Sequence, residues 1–453
     1  MFRWISLLSF SFCLLFTSCH KVNLSLGDNN VSDMVSDAIP IDEAVSELER
    51  FLVEIERETK SVSLFDSREI TAFGAVSFAR TKSETFTIDL PDSLLYLVNF
   101  SDSAGFAILS ANRLVGNKVL AYVESGNIDI NTFIDAYDYM NNGIGFVESY
   151  SFVDEDIIVP EMLLTSLLNL VNHNVVSSDF NQDITEDDLS FNERTVGVTR
   201  AKSISTNSIK YGPFVKTKWC QSSPLNDLCG GYSAGCCAIA TGQIILSNKY
   251  SSTMLFDGKE CSWSDLESVF NYQTHSYKGS AEAQNQAAHF INMIRSKDYC
   301  NIKKTSGDSI GAKRAFEKFG YKNVTRHWGI GTNTRDKIHQ CLQNRHPVYV
   351  DGLNKKLFSA GHCWLIDGYI DYITSTLYQE RLRNTILTSH RYYHHINWGW
   401  NGKYDGYYHV DDFNVANRQS FDDVIDSDTH SLRDSSVEGD HFSWDIWVVT
   451  YSI

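Results

Sequence analysis

The stretch Gly-Cys-Cys-Ala-Ile-Ala-Thr-Gly-Gln-Ile-Ile, from Gly235 to Ile245, decides the fold of the chain. A loop of glycine and small polar residues at 226–234 leads into it, and its apolar residues predict a helix buried in a core. At the junction of loop and helix, unpaired N–H groups and the positive end of the helix dipole favour a cysteine thiolate. The stretch therefore predicts a nucleophile, although two small cysteines that merely fill the start of a core helix would give the same pattern.

A cysteine nucleophile requires a base, a group that orients the base, and donors for an oxyanion. His362 heads an apolar strand in Gly-His-Cys-Trp-Leu-Ile-Asp-Gly-Tyr, and Asn397 stands beside Trp398 in His-Ile-Asn-Trp-Gly-Trp. Upstream of the cysteines, Gln221 offers an amide donor in Trp-Cys-Gln-Ser-Ser-Pro-Leu-Asn. Singly, each residue fits a core or turn position. The ordered set of Gln, Cys, His and Asn is what predicts a cysteine-dependent site.

These motifs resemble the streptopain family, bacterial papain-like cysteine proteases made as inactive zymogens. Residues 235–243 are similar to the family's Gly-Cys-Val-Ala-Thr-Ala-x-Ala-Gln, and 361–369 to its Gly-His-Ala-x-x-Ile-Asp-Gly-Tyr. Residues 397–408 are similar to Asn-Trp-Gly-Trp-Gly-Gly…Asn-Gly-Tyr-Tyr, and 219–226 to Trp-x-Gln-x-x-Pro-Tyr-Asn. The N-terminal half resembles the family's propeptide through Val-Asn-Phe…Gly-Phe-Ala-Ile-Leu-Ser-Ala…Val-Leu-Ala-Tyr.

The resemblance implies a role for each candidate residue. Cys236 is expected to be the nucleophile and His362 the base that later becomes the acid. Asn397 is expected to hold the imidazole, with Trp398 shielding that hydrogen bond. Gln221 and the backbone N–H of Cys236 are expected to form the oxyanion hole. The first of the two adjacent cysteines is chosen because Gly precedes it and Gln follows it seven positions later.

The resemblance also implies an α+β fold: a papain-like catalytic domain of two lobes, at 208–453, preceded by an inhibitory α+β propeptide domain at 41–173. The helical lobe is expected at 208–345 and the β lobe at 346–453. The residue pattern agrees, because helical periods come first in the second domain and strands follow. Its helices are predicted at 236–250, 264–272, 281–295, 310–319 and 334–344, and its first and last strands at 347–350 and 444–451.

The N-terminal domain reads as a helix from Pro40 followed by strands at 86–88, 95–100, 105–109 and 119–123, with helices at 132–140 and 161–171. Residues 174–207 are rich in Ser, Asn, Asp and Glu, which predicts an exposed linker with a cleavage site between about 190 and 207. The segment between Asp371 and His394 is longer than its family counterpart and predicts an insertion over the β lobe.

The first residues predict an export signal. A basic start, an apolar run of about a dozen residues and small residues before a cut describe a signal peptide at 1–18. The order Thr-Ser-Cys resembles a lipobox, in which Cys19 becomes the lipidated first residue, followed by a polar tether at 19–40. We therefore expect a chain anchored to a bacterial outer membrane by the lipid alone, on the periplasmic or surface face. A plain secretory signal is the alternative.

Composition excludes several partner classes. The net charge of −17 disfavours nucleic acid and anionic membrane surfaces. The eight cysteines after residue 200 show no compact disulfide framework and no zinc-ligand spacing, so neither a metal nor a cofactor is expected. His394 and His395 do not suggest a metal, because adjacent strand residues face opposite ways.

The sequence thus predicts an exported cysteine endopeptidase made as a zymogen, acting on protein or peptide substrates, with its propeptide as intramolecular inhibitor. Two alternatives remain. One is an acyl transferase of transglutaminase type, which uses the same Cys–His chemistry. The other is a non-catalytic surface binding protein on a protease fold.

Overall fold

The computed structural model describes residues 38–56, 70–76, 95–112, 118–129, 131, 201–250, 255–256, 258–269, 277–304, 307–354, 361–379, 384–410 and 444–453. Several expectations lie outside these residues: the signal peptide, the lipid site at Cys19, the tether up to residue 37, and linker residues 174–200. The strand expected at 86–88 and the helices expected at 132–140 and 161–171 also lie outside them.

The N-terminal domain packs one helix on an antiparallel sheet. Helix α1 (Ile41–Glu56) begins directly after Pro40, whose carbonyl accepts the N–H of Ala44 at 3.1 Å. One face of α1 is buried against the sheet, and its apolar residues recur at helical spacing: Ala44, Leu48, Phe51, Leu52 and Ile55. The strands are β1 (Ile70–Val76), β2 (Leu95–Phe100), β3 (Phe106–Ser110) and β4 (Val119–Val123), paired in that order. The strands expected at 95–100, 105–109 and 119–123 are confirmed.

The first half of the second domain contains five helices, as expected. They are α2 (Cys236–Asn248), α3 (Trp263–Ser268), α4 (Ala281–Arg295), α5 (Ser309–Lys318) and α6 (Thr332–Gln343). Side chains of Ser262, Ser280 and Asp308 cap α3, α4 and α5 by accepting a backbone N–H of the first turn. All five expected helices are confirmed, and α3 ends earlier than expected. No helix within the described ranges is long and apolar enough to cross a lipid bilayer.

The strands of the second domain belong to one large sheet apart from a short hairpin. They are β5 (Ala201–Tyr211), β6 (Leu255–Phe256), β7 (Lys259–Glu260), β8 (Lys322–Trp328), β9 (Val348–Asn354), β10 (Gly361–Gln379), β11 (Asn384–Asn397), β12 (Gly406–His409) and β13 (Trp444–Ser452). The sheet order is β1-β2-β3-β4-β12-β11-β10-β9-β13-β8, with β5 on β10, while β6 pairs with β7. The insertion expected between Asp371 and His394 forms the long antiparallel hairpin of β10 and β11.

The sheet continues across the junction of the two domains. Strand β4 pairs antiparallel with β12, and Tyr122 lies opposite Tyr407. A single hydrophobic core joins residues of β2 and β3 to Trp364 and Trp398 of the second domain. A second core places helix α1 over β10 and β11. The N-terminal domain is therefore bound to the second domain by backbone hydrogen bonds and by shared apolar burial.

Helix α2 is buried on all sides. The side chains from Cys237 to Leu246 lie in the interior, where α2 packs against α4, α5, β9 and β10. A helix that is apolar all round belongs inside a core, as the sequence predicted. Its first residue consequently lies between the helices on one side and the strand β10 on the other.

The linker expectation differs from the structure at its end. Residues 201–207 form the first part of β5 and pair with β10, where Thr206 lies opposite Thr374. Strand β9 covers β10 only between Gly361 and Ile366, so the rest of that edge is available to β5. The segment resembles a linker because its side chains are mostly Ser, Thr and Asn, yet backbone pairing does not require apolar side chains.

The division of the second domain at residue 345 also differs from the structure. Strand β8 lies within the expected helical lobe, but it pairs with β13, with Thr325 opposite Thr450. Residues 208–211 are the end of β5 and also belong to this sheet. Strands β5 and β8 both belong to the β lobe, because segments distant in sequence complete the edges of its sheet. A single dividing residue, such as 345, cannot describe such a lobe.

Candidate active site

Cys236 is the first residue of helix α2, and Gly235 turns the chain into that helix. Gly235 has a φ of 84°, a region that favours glycine. Its carbonyl accepts the N–H groups of Ala238 and Ile239. The backbone N–H of Cys236 thus lies before the first hydrogen bond of the helix, at the positive end of the helix dipole.

The two adjacent cysteines face different surroundings. Cys236 is half-buried, whereas Cys237 is fully buried. The Sγ of Cys237 lies 3.5 Å from the carbonyl oxygen of Asp308, in a core that Tyr349 and Leu365 of the β lobe also line. Of the two, only Cys236 combines partial exposure with a place at the junction between the lobes.

Two consecutive residues of β10, Cys363 and His362, act on the thiol of Cys236. Their interactions with the thiol lower the pKa of Cys236 well below its ordinary value, against the effect of burial. The site therefore stabilises a thiolate at Cys236.

His362 is held on its other side by a backbone carbonyl. The residue is 4% exposed, and its Nε2 lies 2.8 Å from the oxygen of Trp398. A carbonyl can only accept, so Nε2 carries the proton in this hydrogen bond and Nδ1 is the nitrogen left for Cys236. Trp400 stacks on the imidazole with ring centroids 4.5 Å apart. The ring orientation is thus fixed by one hydrogen bond and one stacked indole.

Asn397 does not take the place expected for it. Its Oδ1 accepts the N–H of Gly399 at 3.0 Å and the side-chain amide of Gln243 at 3.2 Å. Its Nδ2 donates to the carbonyl of Thr217 at 3.1 Å. His362 donates to the backbone carbonyl of Trp398 in place of the expected hydrogen bond with Asn397. The carboxamide of Asn397 is directed toward helix α2 instead.

The turn after Asn397 fixes the carbonyl that holds the imidazole. The N–H of Trp398 donates to Asp405 Oδ1 at 2.9 Å, and its buried indole N–H donates to Tyr408 at 3.3 Å. Lys218 pairs with the other oxygen of Asp405 at 2.8 Å. Gly399 has a φ of 75°, and a Cβ there would lie 3.2 Å from Ile239. Trp398 therefore contributes its backbone carbonyl, and its indole anchors the turn.

Gln221 lies half-buried on the segment that leads to the nucleophile helix. Its backbone carbonyl accepts the N–H of Ala234 at 2.8 Å, and this hydrogen bond joins the two ends of the loop 222–233. Nearby, the side chain of Gln243 accepts hydrogen bonds from Thr217 Oγ1 at 3.0 Å and from the N–H of Trp219 at 3.1 Å. The segment before Gln221 is thus fixed to helix α2.

The N-terminal domain reaches this site through aromatic contacts. Phe106 lies edge-on to Tyr404 with ring centroids 6.0 Å apart, and Tyr404 lies edge-on to Trp400 at 6.4 Å. Trp400 is the indole that stacks on His362. A side chain of the N-terminal domain is therefore separated from the candidate base by two rings.

A charge cluster around the buried His395 also joins the two domains. His395 Nδ1 lies 2.5 Å from Asp367, and its Nε2 lies 3.8 Å from Glu124, the residue after strand β4. Burial alone lowers the pKa of His395, but Asp367 and Glu124 raise it to about 9. Burial raises the pKa of Glu124, but His395 and two lysines lower it to about 2. Glu124 and His395 are therefore both charged at neutral pH.

The other histidine of the pair faces the opposite way, as the sequence predicted. His394 Nε2 lies 3.1 Å from Nε2 of His339 on helix α6. Within the described residues, no three His, Cys, Asp or Glu side chains are arranged to hold a metal ion. The eight described cysteines are all free thiols.

Sequence reasoning missed three contributors to the site. Gln243 served only to align the nucleophile stretch, whereas its amide bonds to Asn397. Asp405 was not singled out, although it fixes the turn of Trp398. Cys363 follows His362 in its motif, and its effect on the pKa of Cys236 depends on the packing of β10 against α2. No local signal in the sequence identifies such contacts, because each partner is distant along the chain.

The fold and the site define a class. A cysteine at the start of a buried helix, facing a histidine at the head of a strand in an α+β domain, is the arrangement of papain-like proteins. Residues 219–408 match the family model described as the Peptidase C10 family, and residues 32–144 match that of the Spi protease inhibitor.

Curated relatives agree with the family models. Streptopain of Streptococcus pyogenes serotype M1 is 22% identical over 211 residues, which cover 41% of this chain and 47% of the relative. Streptopain of serotype M28 (strain MGAS6180) matches with the same identity and coverage. The chain thus spans about half the length of the curated relatives it matches. The two family models and these relatives support membership of the streptopain family, which the sequence motifs predicted.

Proposed function

We propose that this chain is an exported cysteine endopeptidase made as a zymogen, with Cys236 and His362 as its catalytic pair. One observation carries the proposal. A half-buried thiol at a helix N-terminus has its pKa lowered by Cys363 and by an imidazole whose Nε2 is fixed by a backbone carbonyl. That arrangement favours the thiolate–imidazolium pair that a cysteine peptidase uses.

The residues present supply each step of peptide hydrolysis. The sulfur of Cys236 attacks the scissile carbonyl carbon, and the imidazolium of His362 gives its proton to the leaving amine. The developing oxyanion accepts hydrogen bonds from the N–H of Cys236 and the side chain of Gln221. His362 then takes a proton from water, the water attacks the thioester, and the carboxylic acid product leaves with the sulfur of Cys236 restored.

Trp398 and Asn397 have positioning roles in this proposal. The carbonyl of Trp398 accepts the Nε2 proton of His362 and thereby orients the imidazole. Asn397 acts one step further away, because its amide fixes the turn that presents this carbonyl. The expected Cys–His–Asn site thus becomes a Cys–His pair with a backbone acceptor.

The N-terminal domain acts as an inhibitory propeptide in this proposal. Its match to the Spi protease inhibitor model supports that role. The continuous sheet and the contact through Tyr404 and Trp400 provide a route by which it affects His362. We further propose that the chain is exported by its signal peptide and anchored through a lipid on Cys19. Labelled palmitate should be incorporated into the wild-type chain and not into Cys19→Ser.

The test follows mass and casein hydrolysis of the chain from Lys21 onward under reducing conditions, beside Cys236→Ala and Cys237→Ala. We expect the wild-type chain to lose its N-terminal domain by cleavage before Ala201, because 201–211 are paired in β5. Activity should disappear in Cys236→Ala and persist in Cys237→Ala.

Other outcomes would identify the alternatives. Loss of activity only in Cys237→Ala would assign the nucleophile to the second cysteine. Incorporation of an added amine in place of hydrolysis would indicate acyl transfer of transglutaminase type. A chain that neither matures nor hydrolyses, even after trypsin cleaves the linker, and that a thiol-reactive peptide does not label, would indicate a binding protein.

A further inference from the structure

A row of four side chains crosses the sheet beside the proposed catalytic pair. Opposite Cys363, the residue after His362, lies Asp351 of β9. On the other side of β9, Asp351 lies opposite Trp447 of β13, and Trp447 lies opposite Trp328 of β8. Residues opposite each other on antiparallel strands point to the same face of a sheet. These four residues, which we call the outer row, therefore run along one face, starting at the residue after the proposed base.

The face that carries the outer row packs on the helical lobe. The next row on this face is formed by Leu365, Tyr349 and Val449, which are 0% exposed and share a core with helix α2. In the outer row the cover becomes incomplete, since Asp351 is half-buried and Trp328 is 39% exposed. The outer row thus lies where the covered core ends, at the junction between the two lobes.

The loop before helix α5 lies against the Cys363 end of the outer row. The carbonyl oxygen of Gly307 lies 3.7 Å from Cys363 Sγ. A Cβ on Gly307 would lie 2.7 Å from the Cβ of Cys237, the residue after the proposed nucleophile. Gly307 therefore lies between the chain neighbours of both catalytic residues, so the outer row begins at the proposed reaction site.

One oxygen of the Asp351 carboxyl has no partner. Oδ1 is buried and, within the described residues, accepts no hydrogen bond. Arg326, a cation on the same face, is engaged elsewhere: its guanidinium lies 4.1 Å from the ring centroid of Trp447, and its Nε donates to Ser309 at 3.0 Å. Burial raises the pKa of Asp351 to about 8, and the effects of Ser309 and Arg326 do not offset it. A cation that enters beside Asp351 would supply the missing partner.

The neighbour of Asp351 in the outer row favours one kind of cation. Trp447 presents an indole, and the methylene stem of lysine or arginine packs well on an aromatic ring that also attracts its charged end. A carboxylate binds that charged end by charge-assisted hydrogen bonds. A carboxyl group next to an indole is therefore suited to a long basic side chain.

We propose that Asp351 is a specificity residue, whose carboxylate binds a lysine or arginine side chain of a protein substrate near the scissile bond. This inference rests on the proposed function, because it names the substrate class of the same site. Neighbouring strands lie about 4.8 Å apart, so Asp351 is one strand spacing from the residue after His362. An extended substrate advances about 3.3 Å per residue, which places the basic residue within about three residues of the bond that is cut.

The experiment follows quenched fluorescent peptides on the full chain after it has matured. The peptides share one sequence and carry either lysine or norleucine, which has the same carbon chain without the ammonium group, at each position near the scissile bond in turn. Mass spectrometry of the products identifies the bond that is cut. At one position, kcat/KM should be at least about tenfold higher for lysine, because a charge-assisted hydrogen bond is gained. In the isosteric Asp351→Asn, this ratio should fall to about one.

Asp371→Asn is the matched control. Asp371 is also a partly buried acid of the β lobe, but it lies further along β10, away from His362, and pairs with His390 at 2.9 Å. Its ratio of kcat/KM values should equal that of the wild-type chain. A wild-type chain that prefers lysine at none of these positions, or a preference that Asp351→Asn retains, would overturn the proposal.

A binding measurement separates this proposal from the proposed function. Cys236→Ala lacks the proposed nucleophile, and fluorescence anisotropy measures its affinity for the labelled lysine and norleucine peptides after trypsin has cleaved the linker. If the wild-type chain hydrolyses nothing, tighter binding of the lysine peptide that is lost on adding Asp351→Asn would still support the role of Asp351. Equal affinity for the two peptides would overturn it. Hydrolysis without a preference for lysine would leave only the proposed function standing.

Discussion

The carboxamides of Asn397 and Gln243 are buried and bonded to each other, and together they join the turn of Trp398 to helix α2. Each also binds backbone of the segment 217–219. Removing either amide leaves buried donors or acceptors without a partner, and each such group lowers the free energy of unfolding by about 1–3 kcal/mol. At the scale of single residues, the site thus depends on a polar layer that never touches the reacting sulfur.

We predict that Asn397→Ala and Gln243→Ala lower stability and activity alike and leave the pH profile of the residual activity unchanged. Both act by displacing the Trp398 carbonyl, so the double variant should lose less than the sum of the two single losses. Urea unfolding and pH–rate profiles measure these effects. A changed pH profile in Asn397→Ala alone would mean that Asn397 orients the imidazole directly.

Helix α6 packs on strand β11 through two neutral histidines. Burial and the nearby Arg335 lower the pKa of His339 to about 4. Burial, His339, Arg335 and His409 lower the pKa of His394 well below its ordinary value. The folded chain thus keeps both rings unprotonated where the unfolded chain binds protons, so this element loses stability as pH falls from about 6.5 toward 4.

We predict that the free energy of unfolding falls by roughly 2 kcal/mol or more between about pH 7 and pH 5 because of this pair. In His339→Gln, which keeps a polar group beside His394, the fall should be smaller while stability near neutral pH stays close to wild type. Urea unfolding at pH 7 and pH 5 measures this fall in the free energy of unfolding for both chains. An identical fall in both chains would show that the pair does not control acid stability.

Across the whole molecule, one sheet runs through both domains and one aromatic core spans their junction. Glu124 and His395 add an ion pair there. The contribution of Glu124 is complete above its ordinary pKa of 4.5 and is lost as pH falls toward 2. The contribution of His395 is complete below 6.5 and is lost as pH rises through about 9. The pair therefore holds at neutral pH, and mild acid does not release it.

We predict that Glu124→Gln matures a few-fold faster than the wild-type chain at neutral pH, because the propeptide is bound less tightly. The effect stays modest because the Glu124 side chain is 40% exposed and solvent screens the pair. Glu43→Gln is the control, since Glu43 pairs with Lys118 inside the N-terminal domain at 2.6 Å. Mass spectrometry over time measures maturation. Equal acceleration in both variants would indicate a general loss of stability.

The sequence by itself determined the features that local patterns encode. The apolar run after Cys236 predicted a buried helix, and the stretch around His362 predicted a strand headed by the base. Helical periods located the helices of the second domain within a few residues. The family also followed from the sequence, because its short motifs keep their residue types and their order along the chain.

Only the tertiary structure decided which groups meet. The carbonyl of Trp398 replaces Asn397 as the partner of His362, because backbone atoms carry no sequence signal and the direction of an amide depends on distant acceptors. Residues 201–207 form a strand because the edge of β10 lies beside them. Cys363 lowers the pKa of Cys236 because β10 packs against α2. Local propensity acts between near neighbours in the chain, whereas these contacts join segments that only the folded core brings together.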